Sequence, residues 1–215
     1  NMLSDYAAIK NGSYGKLMKA YYAKQDAEKL SGKGDTSQKL TLMKTSADSL
    51  KKSADALNDS SLWEKKKIKK KDEKTGEEIE VEDYDWDKIT KAVKSFVEDY
   101  NDVVKEAGES NTKDVLRNAS WMTGMTDKNS NMLAKIGITI GKGNKLELDE
   151  DALKQADISS LKTVFTGYNS FVSKISQKAT GISNAANRAS ATYTNNGTYS
   201  KTDSSLTSSK IDKEV

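Results

Sequence analysis

The stretch WDKITKAVKSFVEDYNDVVKEA, residues 86–107, decides the fold. Its apolar residues Trp86, Ile89, Val93, Phe96, Tyr100, Val103 and Ala107 recur at steps of three and four. That spacing lays them along one stripe of an α-helix and leaves Lys, Glu and Asp on the remaining surface. Asp85 and Asp87 mark the helix start, and Gly108 is the expected C-terminal stop. Trp86, Ile89, Val93, Phe96, Tyr100 and Val103 are therefore the expected helix-seam core.

Two further segments repeat the pattern. Residues 40–57 carry Leu40, Met43, Ala47, Leu50, Ala54 and Leu57, and residues 168–193 carry Tyr168, Val172, Ile175, Ala179, Ile182, Ala186, Ala189 and Tyr193. A fourth stretch, 113–136, keeps the period through Val115, Ala119, Met122, Leu133 and Ile136, with Thr126 and Asn129 breaking the middle. The chain start offers Leu3, Tyr6 and Ile9, glycines at Gly12 and Gly15, then Leu17, Tyr21 and Leu30. It reads as two helical pieces, because glycine inside a helix costs about 1 kcal/mol relative to alanine.

Two segments depart from helix. In 62–84 a lysine run (Lys65 to Lys67, Lys69 to Lys71) precedes Lys74-Thr75-Gly76 and then an acidic run with Ile79 and Val81. Folded back, the runs pair opposite charges, which predicts a β-hairpin over about 64–84. The pairing also argues against a nucleic-acid patch, since the lysines are neutralised nearby and no aromatic residues alternate with them. Ile138-Thr139-Ile140 and Leu146-Glu147-Leu148 read as a second, very short two-strand turn at about 138–148, after which Asp149 caps a short helix. The expected class is mainly α: an elongated antiparallel helical bundle or coiled coil carrying these two β-features. Residues 1–193 form one helical domain with the hairpin inserted at 62–84, and the Ser/Thr/Asn/Lys-rich residues 194–215 form a flexible tail.

Composition narrows the function. The 215 residues include no Pro, no Cys and no His. Nucleophile systems built on His or Cys, zinc fingers and haem or iron–sulfur ligation of the usual kind are thereby excluded, and no disulfide can form. A hard metal ion held by oxygen stays open in principle, but the acids at 147–151 lack the alternating calcium-loop pattern and read as helix capping. Gly141-Lys142-Gly143 lacks the Gly-Lys-Ser/Thr ending of a phosphate loop. No catalytic, metal or cofactor residue is assigned. The net charge of +3 indicates no general attraction to nucleic acid, and no run of about 18 apolar residues predicts a membrane span. Trp63, Trp121 and the Tyr21-Tyr22 pair are kept as contact residues.

Residues 133–138 (LAKIGI), 145–156 (KLELDEDALKQA) and Val164-Phe165 resemble the C-terminal part of the bacterial flagellar filament-capping family, also called flagellar hook-associated protein 2. Residues 96–104 (FVEDYNDVV) look like a helix of that family, and 168–193 is similar to its closing coiled-coil helix. The resemblance spans about 90–195 and rests on Gly137, Ile138, Leu146, Leu148, Asp149, Leu153 and Phe165. The chain departs from the family in its Gly-Lys-Gly-Asn turn and in lacking a proline near the following helix.

The resemblance implies a non-enzymatic structural protein of the flagellar axial or cap type. It would be exported without a cleaved signal and act outside the cell, on the flagellum or cell surface. Its partners would be a second copy of itself or flagellin-like filament subunits. Tyr168, Val172, Ile175, Ile182, Ala186, Ala189 and Tyr193 are the expected partner-facing stripe, so that Ile182→Asp with Ala189→Asp should leave a folded monomer that no longer assembles. The competing readings are a coiled-coil adaptor unrelated to flagella and a surface hydrolase using two carboxylates, for which no acid pair stands out.

Overall fold

The computed structural model describes residues 34–71 and 76–192. The two helical pieces expected near the chain start, the turn at Lys74-Thr75, Tyr193 and the tail at 194–215 lie outside the described residues. The order is α1 (Ser37–Asn58), a 3₁₀ turn (Ser60–Trp63), β1 (Lys66–Lys71), β2 (Glu78–Asp83), α2 (Trp86–Glu109), α3 (Lys113–Lys128), α4 (Ser130–Ala134), β3 (Ile138–Ile140), a 3₁₀ turn (Lys142–Asn144), β4 (Leu146–Leu148), α5 (Glu150–Gln155), α6 (Ile158–Phe165) and α7 (Phe171–Thr192). The chain is mainly α with two small antiparallel two-stranded sheets, as the periodicity predicts.

Hydrogen bonds fix the helix directions. Ser176 and Ser183 on α7 donate from their hydroxyls to Asp55 (2.7 Å) and Asp48 (2.6 Å) on α1. Residue numbers rise along one helix as they fall along the other, so α1 and α7 run antiparallel. On the far side, Arg188 meets Asp114 at 3.6 Å and the Lys178 ammonium stands 5.0 Å over the Trp121 ring, which makes α7 and α3 antiparallel as well. Gly181 permits that approach, since a Cβ there would lie 2.6 Å from Asn118 Oδ1. At one end of the bundle Ser110 and Thr112, between α2 and α3, hydrogen-bond to Asp35 beside the start of α1. The four long helices α1, α2, α3 and α7 thus run up and down alternately around one core.

That core is built from the seams. Leu40, Met43, Ala47, Leu50, Ala54 and Leu57 are buried on α1, and Ile89, Val93, Phe96, Tyr100, Val103 and Ala107 on α2. Trp86 at the rim is half-buried and meets Tyr84 edge-on. The polar break at Thr126 has a partner: the buried Tyr100 hydroxyl donates to Thr126 Oγ1 at 2.9 Å, and the Thr126 hydroxyl in turn donates to the Met122 carbonyl at 3.0 Å. Asn129 is where α3 ends and α4 begins.

Three local expectations are corrected. Gly108 does not stop α2, which runs on to Glu109, because Ser110 supplies the cap by donating its backbone N–H to Ala107 O at 3.1 Å. The closing helix begins at Phe171 and not at Tyr168. Gly167 turns the chain with φ +98°, leaving Tyr168 outside the seam at 82% exposure. Trp63 is no surface contact, since it is buried, stacks on Phe165 at 5.5 Å and donates its indole N–H to the Leu57 carbonyl.

The hairpin register sets Lys66 opposite Asp83, Lys67 opposite Glu82, Lys69 opposite Glu80 and Lys71 opposite Glu78. Ile68 and Val81 pair on the face that also bears Ile79. An alternating ribbon with both edges charged resists pairing with stray strands.

Candidate assembly surface

The residues behind the family resemblance converge on one corner. Gly137 sits at φ +79°, where a Cβ would fall 2.6 Å from the Asp149 carbonyl oxygen, so the chain can cross itself there only with glycine. Asp149 returns its backbone N–H to the Gly137 carbonyl at 2.8 Å and caps α5 by accepting from the Asp151 and Ala152 amides. Ile138 pairs with Leu148, and Ile140 with Leu146. Asn101 of α2 clamps Leu146 from both sides, donating to its carbonyl (2.9 Å) and accepting from its N–H (2.7 Å). Leu153 and Phe165 are fully buried beneath, with Phe165 edge-on to Phe96. This corner is a structural joint, and it brings no acid–base pair into an apolar pocket.

The stripe expected to face a partner is spent inside the molecule. Val172, Ile175, Ile182 and Ala186 are fully buried where α7 lies between α1 and α3, and Ala189 packs half-buried at the rim. A side chain already removed from water in the monomer offers a partner no further apolar area. Among the described residues no group of three or more His, Cys, Asp or Glu is placed to hold a metal ion.

Among the described residues a groove of about 400 Å³ lies between α1 and α2. Its floor is made of small residues: Ser49, Ser53 and Ala56 from α1, Ala92 and Ser95 from α2. Lys52, Lys88, Lys91 and Asp99 also line it, with Asp99 beside Ser53. Burial pushes the Asp99 carboxyl above its ordinary value, a Ser53 hydrogen bond opposes that, and the Asp102 and Glu98 charges push it further up. Elsewhere, Trp121 stands 61% exposed on α3 beneath Lys178; of the other sequence-predicted aromatic contacts, Trp63 is buried and the Tyr21-Tyr22 pair lies outside the described residues.

Residues 110–214 match the family model of the flagellar hook-associated protein 2 C-terminus. The match covers just under half of the 215 residues and supports a structural protein of the flagellar cap type. No curated protein and no solved structure matches the chain. The matched span holds α3 through α7 with the Gly137–Leu153 corner, whereas α1, the β1–β2 hairpin and α2 precede it. The groove therefore lies outside the part of the chain that is similar to the hook-associated proteins.

Sequence reasoning missed the groove, although a signal was present. Leu42, Ser46, Ser49, Ser53 and Ala56 follow a second four-three stripe beside the α1 seam, and Lys88, Ala92, Ser95, Asp99 and Asp102 do the same on α2. Small and charged residues at helical spacing are discarded when only apolar stripes are sought.

Proposed function

We propose that this protein is a non-enzymatic assembly subunit of the bacterial flagellar axial or cap type, working outside the cell by helix–helix contact with itself or with flagellin-like filament subunits. The match of residues 110–214 to the flagellar hook-associated protein 2 C-terminus carries this reading. Residues 1–193 acting as one helical unit with an inserted hairpin is part of the same proposal. No helix among the described residues is long and apolar enough to cross a membrane, so on this reading attachment runs through protein contacts.

The bundle suits such work. Its own seams are closed by packing, which leaves a rigid scaffold whose outer faces carry the contacts. A specific interface removes about 1,200–2,000 Å² from water, and apolar area contributes about 25 cal/mol per Å² before the costs of association are subtracted. With a seam already buried, partners must use outer grooves and exposed side chains such as Trp121.

Sedimentation velocity of the full chain with and without purified flagellin tests the proposal. The expected result is a heavier species that needs both components, formed with monomeric flagellin or at the ends of flagellin filaments. If the chain ignores flagellin in both forms at concentrations of tens of micromolar, the flagellar reading is wrong.

A further inference from the structure

The exposed face of α2 bordering the groove has a charge order that is antisymmetric about one residue. Ser95 is the centre. Lys91 precedes it by four residues and Asp99 follows by four, while Lys88 precedes it by seven and Asp102 follows by seven. At about 100° per residue all four lie within roughly 40° of Ser95 around the helix, so they share its face. None of these four, nor Lys52 or Glu98, is engaged in a salt bridge among the described residues.

Such a face complements itself when turned end for end. Antiparallel pairing sets Lys91 opposite the partner's Asp99 and Lys88 opposite the partner's Asp102, and the same two contacts recur on the other side of the axis. Parallel pairing would set lysine on lysine. Antiparallel helices also oppose their dipoles favourably. The small floor completes the argument, because Ala92 and Ser95 at the centre and Ser49, Ser53 and Ala56 beside them let a helix approach to the short end of the usual 8–10 Å range.

We propose that two copies of this chain pair through the α1–α2 face, α2 against the partner's α2 about a two-fold axis at Ser95, each α2 lying along the other's groove. This deepens the assembly reading by naming one partner as a second copy, and it stands on the charge order and the groove, both outside the family match.

Sedimentation equilibrium of the full chain, without flagellin, is the test. A concentration-dependent dimer that weakens as salt rises is expected. Lys91→Glu alone and Asp99→Lys alone should each weaken it by about tenfold or more, since like charges then meet twice across the axis. The double variant should recover most of the loss, because the swapped charges face each other again. Lys88→Glu with Asp102→Lys repeats the swap on exposed positions, so a folding defect at half-buried Asp99 cannot be mistaken for a lost interface. Because the chain has no cysteine, Ser95→Cys introduces a single thiol, and a short bis-maleimide should link two copies through it while Lys162→Cys stays uncrosslinked. A chain that remains monomeric up to about 200 µM, or swaps that fail to recover dimerisation, overturns the pairing. A monomer that still binds flagellin would overturn this inference alone, and a dimer that ignores flagellin would overturn only the flagellar reading.

Discussion

At the scale of single residues, Asp35 shows how one side chain joins distant elements. Its side chain is 2% exposed, yet it accepts from the Ser110 hydroxyl (2.6 Å), the Asn111 and Thr112 amides (both 2.9 Å) and the Thr112 hydroxyl (2.7 Å). Burial pushes its carboxyl up, but the bonds from Ser110, Thr112 and Asn111 outweigh that and hold it below the ordinary carboxylate value. Asp35→Ala should cost about 2–3 kcal/mol near pH 7, because it leaves the Asn111 amide and the Ser110 and Thr112 hydroxyls at the α2–α3 corner without the Asp35 acceptor, while the Thr112 amide keeps only its bond to Ser110 Oγ. Since the folded value is lowered, the contribution is present above the unfolded value of about 3.9 and is lost as pH falls through the folded one. Urea titrations should therefore show the gap between wild type and variant closing below about pH 4. Gly137→Ala meets both a positive φ and the Asp149 carbonyl oxygen, and a loss of about 2 kcal/mol or more is expected from the same titration.

At the scale of elements, α7 carries the clearest revision. Ile182→Asp is expected to unfold the protein and not merely to free a monomer, because it drives a carboxylate into a fully buried position between α1 and α3. The cost is about 4 kcal/mol or more, comparable with that of Phe96→Asp at the aromatic cluster, and both should appear as loss of the cooperative melt followed by circular dichroism. The hairpin behaves differently. Lys69→Glu puts like charges at the Glu80 register position and beside Glu78, yet the site is exposed, so the loss stays below about 1 kcal/mol. Amide exchange should quicken within 66–83 while the bundle keeps its melting temperature.

At the scale of the whole molecule, the absence of histidine shapes the response to pH. No side chain has its ordinary titration between pH 5 and 8, so stability should run flat across that range. Asp35, Asp48, Asp55, Asp59, Asp83 and Asp157 are all held below the ordinary carboxylate value, and what they contribute disappears on acidification. Asp99 has the opposite sign, since its raised value means that protonation as pH falls relieves a cost. Among the described residues the lowered group is led by Asp35, with its buried side chain and several hydrogen bonds, so the net prediction is acid unfolding below about pH 4, seen as a falling thermal midpoint in a pH series.

The sequence by itself determined the long helices, most of their seams and both short sheets, but not the short helix Ile158–Phe165 or the start of α7. Helical spacing shows in Leu40 to Leu57 and Ile89 to Ala107, and charge alternation shows in the register from Lys66 to Asp83; both are local periodicities that a chain carries wherever it packs. Only the tertiary structure decided which stripes close inside. Nothing local to α7 tells whether Val172, Ile175, Ile182 and Ala186 meet helices of the same chain or of another, because burial depends on what lies opposite. The same reason hid Trp63 within the core and Asp35 at a corner 75 residues away in sequence, and it left the face around Ser95 open although its spacing was in plain sight.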